Sequence, residues 1–91
     1  MIVSVDEMKN YLRVDTADDD ALIASILSAA VQLCMDVARV SSEERLSSFA
    51  NSRIAVMYAA AYLYEHREEA DHKALTLTLR ALLGGEREEG F

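Results

Sequence analysis

The sequence predicts an all-α fold: a small bundle of about four helices, in the order short, long, long, short, with a flexible C-terminal tail. Three observations point there. The chain has no proline and only three glycines in 91 residues, so little interrupts helices. Its first and last structured stretches place apolar residues at helical spacing. Between them lie two long stretches, "DDDALIASILSAAVQLCMDVAR" and "NSRIAVMYAAAYLYEHREEA", that are apolar on more than one face. No stretch reads as a convincing strand. "LTLTL" alternates with period two, and its threonines favour β structure, but it is short and its flanks are helical.

The first helix opens at Ser4, which with Glu7 forms the S-x-x-E pattern of a capping box. In "VDEMKNYL", Val5, Met8, Tyr11 and Leu12 share one face. "RVDTAD" breaks the pattern, and Thr16 is the expected N-cap of the second helix, with Asp19 three residues later. In that helix Ser25, Ser28, Gln32, Asp36 and Arg39 form a polar stripe. Leu22, Ile23, Ile26, Leu27, Ala30, Leu33, Cys34 and Val37 leave more than one apolar stripe to bury. "VSSEERLSSF" reads as a loop or short turn up to about Ser47, although Ser41 with Glu44 could cap a helix earlier.

The third helix starts near Phe49 and is apolar all round from Ile54 to Tyr64. A helix of that kind is central in a core or covered by a neighbouring subunit. The last helix, "KALTLTLRALL", carries Leu75, Leu79, Leu82 and Leu83 and stops at Gly84-Gly85, which suit a helix C-terminus. The expectation is therefore one helical domain over residues 1–85, with a mobile tail over 86–91.

Composition narrows the function. A chain of 91 residues suits one small domain. It is 52% hydrophobic, somewhat apolar for its size, which implies that a partner covers part of its surface. Nine basic and 16 acidic residues give a formal net charge of −7. Nucleic-acid binding depends on Lys and Arg displacing counterions, and an acidic surface repels DNA and anionic membranes. "MIVSVDEMKN" does not read as a signal peptide. The apolar run Ile54 to Tyr64 is shorter than the roughly 20 residues of a membrane helix. The single cysteine, Cys34, cannot form an internal disulfide, and a reducing compartment is the default.

The residues that could carry chemistry favour structural readings. "YLYEHREEADH" holds both histidines. On a helix, His66 and His72 point about 120° apart and differ by roughly 9 Å in rise, too far for one tetrahedral zinc with bonds of about 2 Å. The i, i+4 spacing of H-E-x-x-H is absent, so this stretch reads as the solvated end of a helix. Asp15, Asp18, Asp19 and Asp20 lack the glycine and distal glutamate of a calcium loop. Asp18, Asp19 and Asp20 read instead as helix-capping acids facing the positive end of the helix dipole. Cys34 lies on an apolar face with no base nearby in sequence, as a buried thiol does. No phosphate loop, nucleophile elbow or Cys/His set occurs. No catalytic, cofactor or metal site is expected, and an enzyme is disfavoured.

Tyr58, Tyr62 and Tyr64 suit a core, but tyrosine and arginine also anchor interfaces. Tyr64 and Arg67 stand where the apolar helix meets water and form the preferred contact pair. Tyr62, Leu79, Leu82 and Leu83 complete the candidate interface with a second subunit or another protein.

Taken together, "VSVDEMKNYLRVDTADDDALIASILSAA" resembles the opening of the tailed-bacteriophage head–tail connector proteins, also called head-completion or DNA-packaging adaptor proteins. "YAAAYLYEHREEA" and "LTLTLRALLGGERE" are similar to later segments of the same family, in the same order, so the likeness covers nearly the whole chain. It runs over Lys9, Tyr11, Leu12 and Arg13, then Asp18 to Asp20 with Leu22 and Ile23, then Tyr64, Glu65, Arg67 and Glu68, and ends on Leu82, Leu83 and Arg87. Three features depart from the family pattern: His66 replaces a frequent asparagine, a proline before the last helix is missing, and "GGERE" replaces a proline–aromatic–arginine ending.

The resemblance implies a non-catalytic homo-oligomer that forms a ring beneath the portal protein of a filled head. It would receive the next head–tail joining or tail protein and pass DNA without sequence-specific binding. The virion head–tail junction, assembled in the bacterial host cytoplasm, is the implied location, in a free phage or a prophage. The alternative from another class is a small acidic helical adaptor or regulator that binds another protein. A DNA-binding version is disfavoured, since no basic recognition helix is visible.

Overall fold

The computed structural model describes residues 2–66 and 73–83. The expected capping box is present. The Glu7 backbone N–H donates to Ser4 Oγ (3.1 Å), and the Ser4 N–H donates to Glu7 Oε1 (3.0 Å). It opens α1 (Val5–Leu12), which ends at Arg13 in the left-handed region, φ 61°. The second helix, α2 (Asp20–Ala38), ends the same way at Arg39, φ 62°. Both arginines occupy a conformation that usually selects glycine.

The 41–49 segment departs from the expected loop. It contains a short helix, α3 (Glu43–Ser47). Ser42, not Ser41, caps it by accepting from the Arg45 N–H at 3.1 Å. Leu46 and Phe49 anchor the segment in the core, and Glu43 accepts from the Ile2 N–H at 2.8 Å. The long helix α4 (Ser52–Glu65) therefore starts three residues later than Phe49. The final α5 (Lys73–Leu83) spans the expected stretch, so "LTLTL" is helical. The described residues thus form the expected all-α bundle, its four expected helices joined by the short α3, with no strand. The expected mobile tail, 86–91, lies outside the described residues.

The core forms mainly where α2 meets α4. Ile23, Leu27, Ala30, Val31, Cys34, Val37 and Ala38 of α2 are buried, facing Ala55, Val56, Ala59 and Ala60 of α4. Small side chains on α4 let the two helix axes approach closely. Leu75, Leu79 and Leu83 of α5 sit four residues apart and are fully buried, closing the core from a second side; Met8 and Val3 close it at the N-terminal segment.

Polar ties set the helix directions. The Tyr64 hydroxyl on α4 reaches Asp19, just before α2, so α2 and α4 are antiparallel. Asn51 Nδ2, just before α4, donates to the Leu82 carbonyl near the end of α5 (3.0 Å), so α4 and α5 are antiparallel too. Arg53 donates to the Ile2 carbonyl (3.1 Å) and pairs with Glu7 (2.6 Å), so the start of α1 lies beside the start of α4.

At 19 residues, α2 is long and apolar enough to cross a membrane, which the shorter run Ile54 to Tyr64 is not. Its buried residues, however, face the other helices of the chain. It is the central core helix of the bundle.

Candidate functional site

The two apolar helices are not covered on every side. On α4, Ala55, Val56, Ala59 and Ala60 face the core, whereas Ile54 is 59% and Tyr58 39% exposed. Within one copy, then, the core covers one face of this helix and leaves another open. Ile54, Tyr58, Ala61 and Tyr62 follow one another at i, i+4, i+7 and i+8, which places them on one outward stripe. Tyr11, 53% exposed at the end of α1, lies against that stripe.

Beside Ile54, the other residues of the stripe and Tyr11 line a groove of about 530 Å³. Its walls are Tyr11, Leu12 and Arg13 on one side and Tyr58, Ala61, Tyr62, Glu65 and His66 on the other. Three tyrosines and an arginine are the side chains that most often anchor protein contacts. Sequence reasoning singled out Tyr62 and weighed Tyr58, but not Tyr11 or Arg13 as contact residues. Their grouping requires α1 to dock beside α4, and no spacing within either helix reveals that.

At the end of the groove His66 is held in place. Its ring stacks on Tyr62, centroids 4.2 Å apart and planes 21° from parallel. Its Nδ1 lies 3.0 Å from the Tyr62 carbonyl. His72 and Arg67 lie outside the described residues. Among the described residues, no group of three or more His, Cys, Asp or Glu is placed to hold a metal ion.

The acids at the start of α2 make tertiary contacts as well as sitting at the helix end. Asp19, not Thr16, occupies the N-cap position, and its side chain makes no capping hydrogen bond. Its Oδ2 accepts from Tyr64 Oη at 2.8 Å. Asp20, in the first turn, pairs through Oδ1 with Lys9 Nζ at 2.8 Å, and this oxygen has no other partner among the described residues. Donating this hydrogen bond to Asp20 holds the Lys9 ammonium pKa above its ordinary value. Asp18 is exposed on the preceding turn. Two of the three expected capping acids thus tie α1 and α4 to the start of α2.

Tyr64 is accordingly half-buried and engaged within the chain. Leu79 and Leu83 are fully buried in the chain's own core, and Leu82 is half-buried beside it. As placed, Leu79 and Leu83 offer no free surface to a partner; on α5 the exposed leucine is Leu77. The reason is register. Leu75, Leu79 and Leu83 form one i, i+4, i+8 stripe, and α5 turns that stripe inward.

Helices α1 to α4, most of α5, the acidic turn and the aromatic groove lie within residues 2–80, which match the model of the phage gp6-like head-tail connector protein family. The chain belongs to this family. No curated protein and no solved structure matches it. As a head–tail connector, the protein is a structural component of the phage particle at the junction of head and tail, interacting with other head or tail proteins.

Proposed function

We propose that the connector assembles as a ring of identical subunits beneath the portal protein. There it completes the DNA-filled head, offers the docking surface for the next joining or tail protein, and surrounds the path of the DNA. The observation that supports this reading is the aromatic groove with its neighbouring Ile54, an apolar strip that a single copy leaves uncovered. Strips of this kind mark protein contacts. Assembly takes place in the cytoplasm of the bacterial host.

The net charge of −7 fits a conduit that must not grip its cargo. Asp15, Asp36 and Glu44 are exposed, and acids of this kind line or flank the channel. DNA then slides without the counterion release that drives binding.

The test is direct. Purified protein, alone and with portal rings, is examined by native mass spectrometry and electron microscopy, and closed rings are expected. A strict monomer that also ignores the portal refutes the reading. DNA affinity that stays strong at physiological salt refutes the conduit.

A further inference from the structure

We infer that copies of this chain join head to tail, the aromatic groove of one receiving an apolar stripe on α2 of the next. This rests on the ring reading above and adds which two faces meet.

The second face is on α2. Leu22 is 37% exposed, Ala29 is exposed, and Ile26 and Leu33 are half-buried. At i, i+4, i+7 and i+11 they form one stripe. The stripe and the groove lie on different flanks of the molecule. Asp20 points to Lys9 of α1, and Leu22, two residues on, is turned about 200° from it. The far end of the stripe, at Leu33, borders a crevice shared with Thr76 and Arg80 of α5. A groove-to-groove dimer would leave the stripe in water. A contact of groove with stripe covers both, repeats from copy to copy, and closes when the rotation allows.

Two further features favour that pairing. The Tyr64–Asp19 hydrogen bond sets the end of α4 beside the start of α2, so the groove and Leu22 lie at the same end of the bundle. Rotation about an axis along the bundle keeps every part at its own height, and the two faces meet without a shift. The charges also match. Arg13 is exposed at the groove and has no ion pair among the described residues, whereas Asp18 is exposed on the turn just before α2, four residues ahead of Leu22. Rotation brings this carboxylate of one copy toward Arg13 of its neighbour, a complementarity that fixes register.

Two variants decide the matter: Tyr58→Asp in the groove and Leu22→Asp in the stripe. Far-UV circular dichroism and a cooperative melt establish that each folds, and Arg13→Glu replaces Tyr58→Asp if that chain does not. All are assayed under the conditions in which the unaltered chain forms rings, with portal if the portal is required. Each variant alone is expected to lose self-association by about tenfold or more, the effect of losing one interface anchor. An equimolar mixture of the groove and stripe variants is expected to give a heterodimer and nothing larger, because one intact joint remains.

The inference is overturned if either variant assembles like the unaltered chain, if Leu22→Asp forms a dimer with itself, or if the mixture stays monomeric. In each of those outcomes the unaltered ring persists and the ring reading stands. An unaltered chain that forms no ring with the portal removes both.

Discussion

Tyr64 on α4 donates its phenolic hydrogen to Oδ2 of Asp19, 2.8 Å away and 45 residues earlier in the chain. The bond joins the last turn of one long helix to the residue that starts the other. It also explains why Asp19 does not cap α2 with its side chain: the carboxylate is turned toward a tertiary partner. Tyr64 thereby acts within the subunit, setting the end of α4 beside the acidic turn.

Removing that hydroxyl should therefore lower stability before it touches assembly. Tyr64→Phe keeps the ring and deletes the donor, at a cost of about 1 kcal/mol for a typical intramolecular hydrogen bond. In a domain of this size that lowers the melting temperature by roughly 4–8 °C. Asp19→Asn combined with Tyr64→Phe in a double-mutant cycle should show non-additivity. Additive effects would mean that the two residues are not coupled.

The α5 leucines separate a core role from an interface role. Leu79→Ala and Leu83→Ala each open a cavity in a fully buried site and should cost about 2–5 kcal/mol. Leu77→Ala, at a 55% exposed position, should change stability by about 0.5 kcal/mol or less. Urea denaturation distinguishes them. A Leu79→Ala chain as stable as the parent would contradict the burial.

What could be read from the residues, and what could not, follows the range of the interactions. The Ser4–Glu7 capping box and the helical state of Lys73–Leu83 depend on neighbours three or four positions apart, and both stand as expected. The five-residue α3 is too short to display a helical period, and its anchors, Leu46 and Phe49, matter only once a core exists. Arg13 and Arg39 end helices in a conformation that sequence normally announces with glycine. The groove was half legible. Tyr58 and Tyr62 stand out within α4, but Tyr11 joins them only through the packing of α1, which the Glu7–Arg53 pair fixes across 46 residues. Leu79 and Leu83 stood out as apolar, and apolarity alone does not tell a core stripe from a contact stripe.

Cys34 should be inert in the folded protein. It is fully buried on α2, and desolvation raises its thiol to about 12. The thiolate is the reactive form, so at neutral pH an alkylating reagent should label Cys34 only as fast as the chain opens. Labelling followed by mass spectrometry, with and without denaturant, checks this. Rapid modification under native conditions would show that the α2–α4 core opens readily.

Glu7 should make stability sensitive to acid. Its carboxyl is held down to about 2, from an ordinary 4.5, chiefly by the hydrogen bond from Arg53 and then by the Ser4 backbone N–H. A carboxyl with a lowered folded-state value favours the folded chain when ionised. That contribution is complete above about pH 4.5 and is lost as the pH falls toward 2. Glu7→Gln removes the charge at every pH. Its melting temperature should lie below that of the unaltered chain at neutral pH, and the two should converge as the pH approaches 2. The Glu7–Arg53 pair is open to solvent, so high salt should narrow the neutral-pH gap. Melting curves recorded from pH 7 down to 2 test both effects. A gap that stays constant across that range would assign the loss to the capping box rather than to the charge.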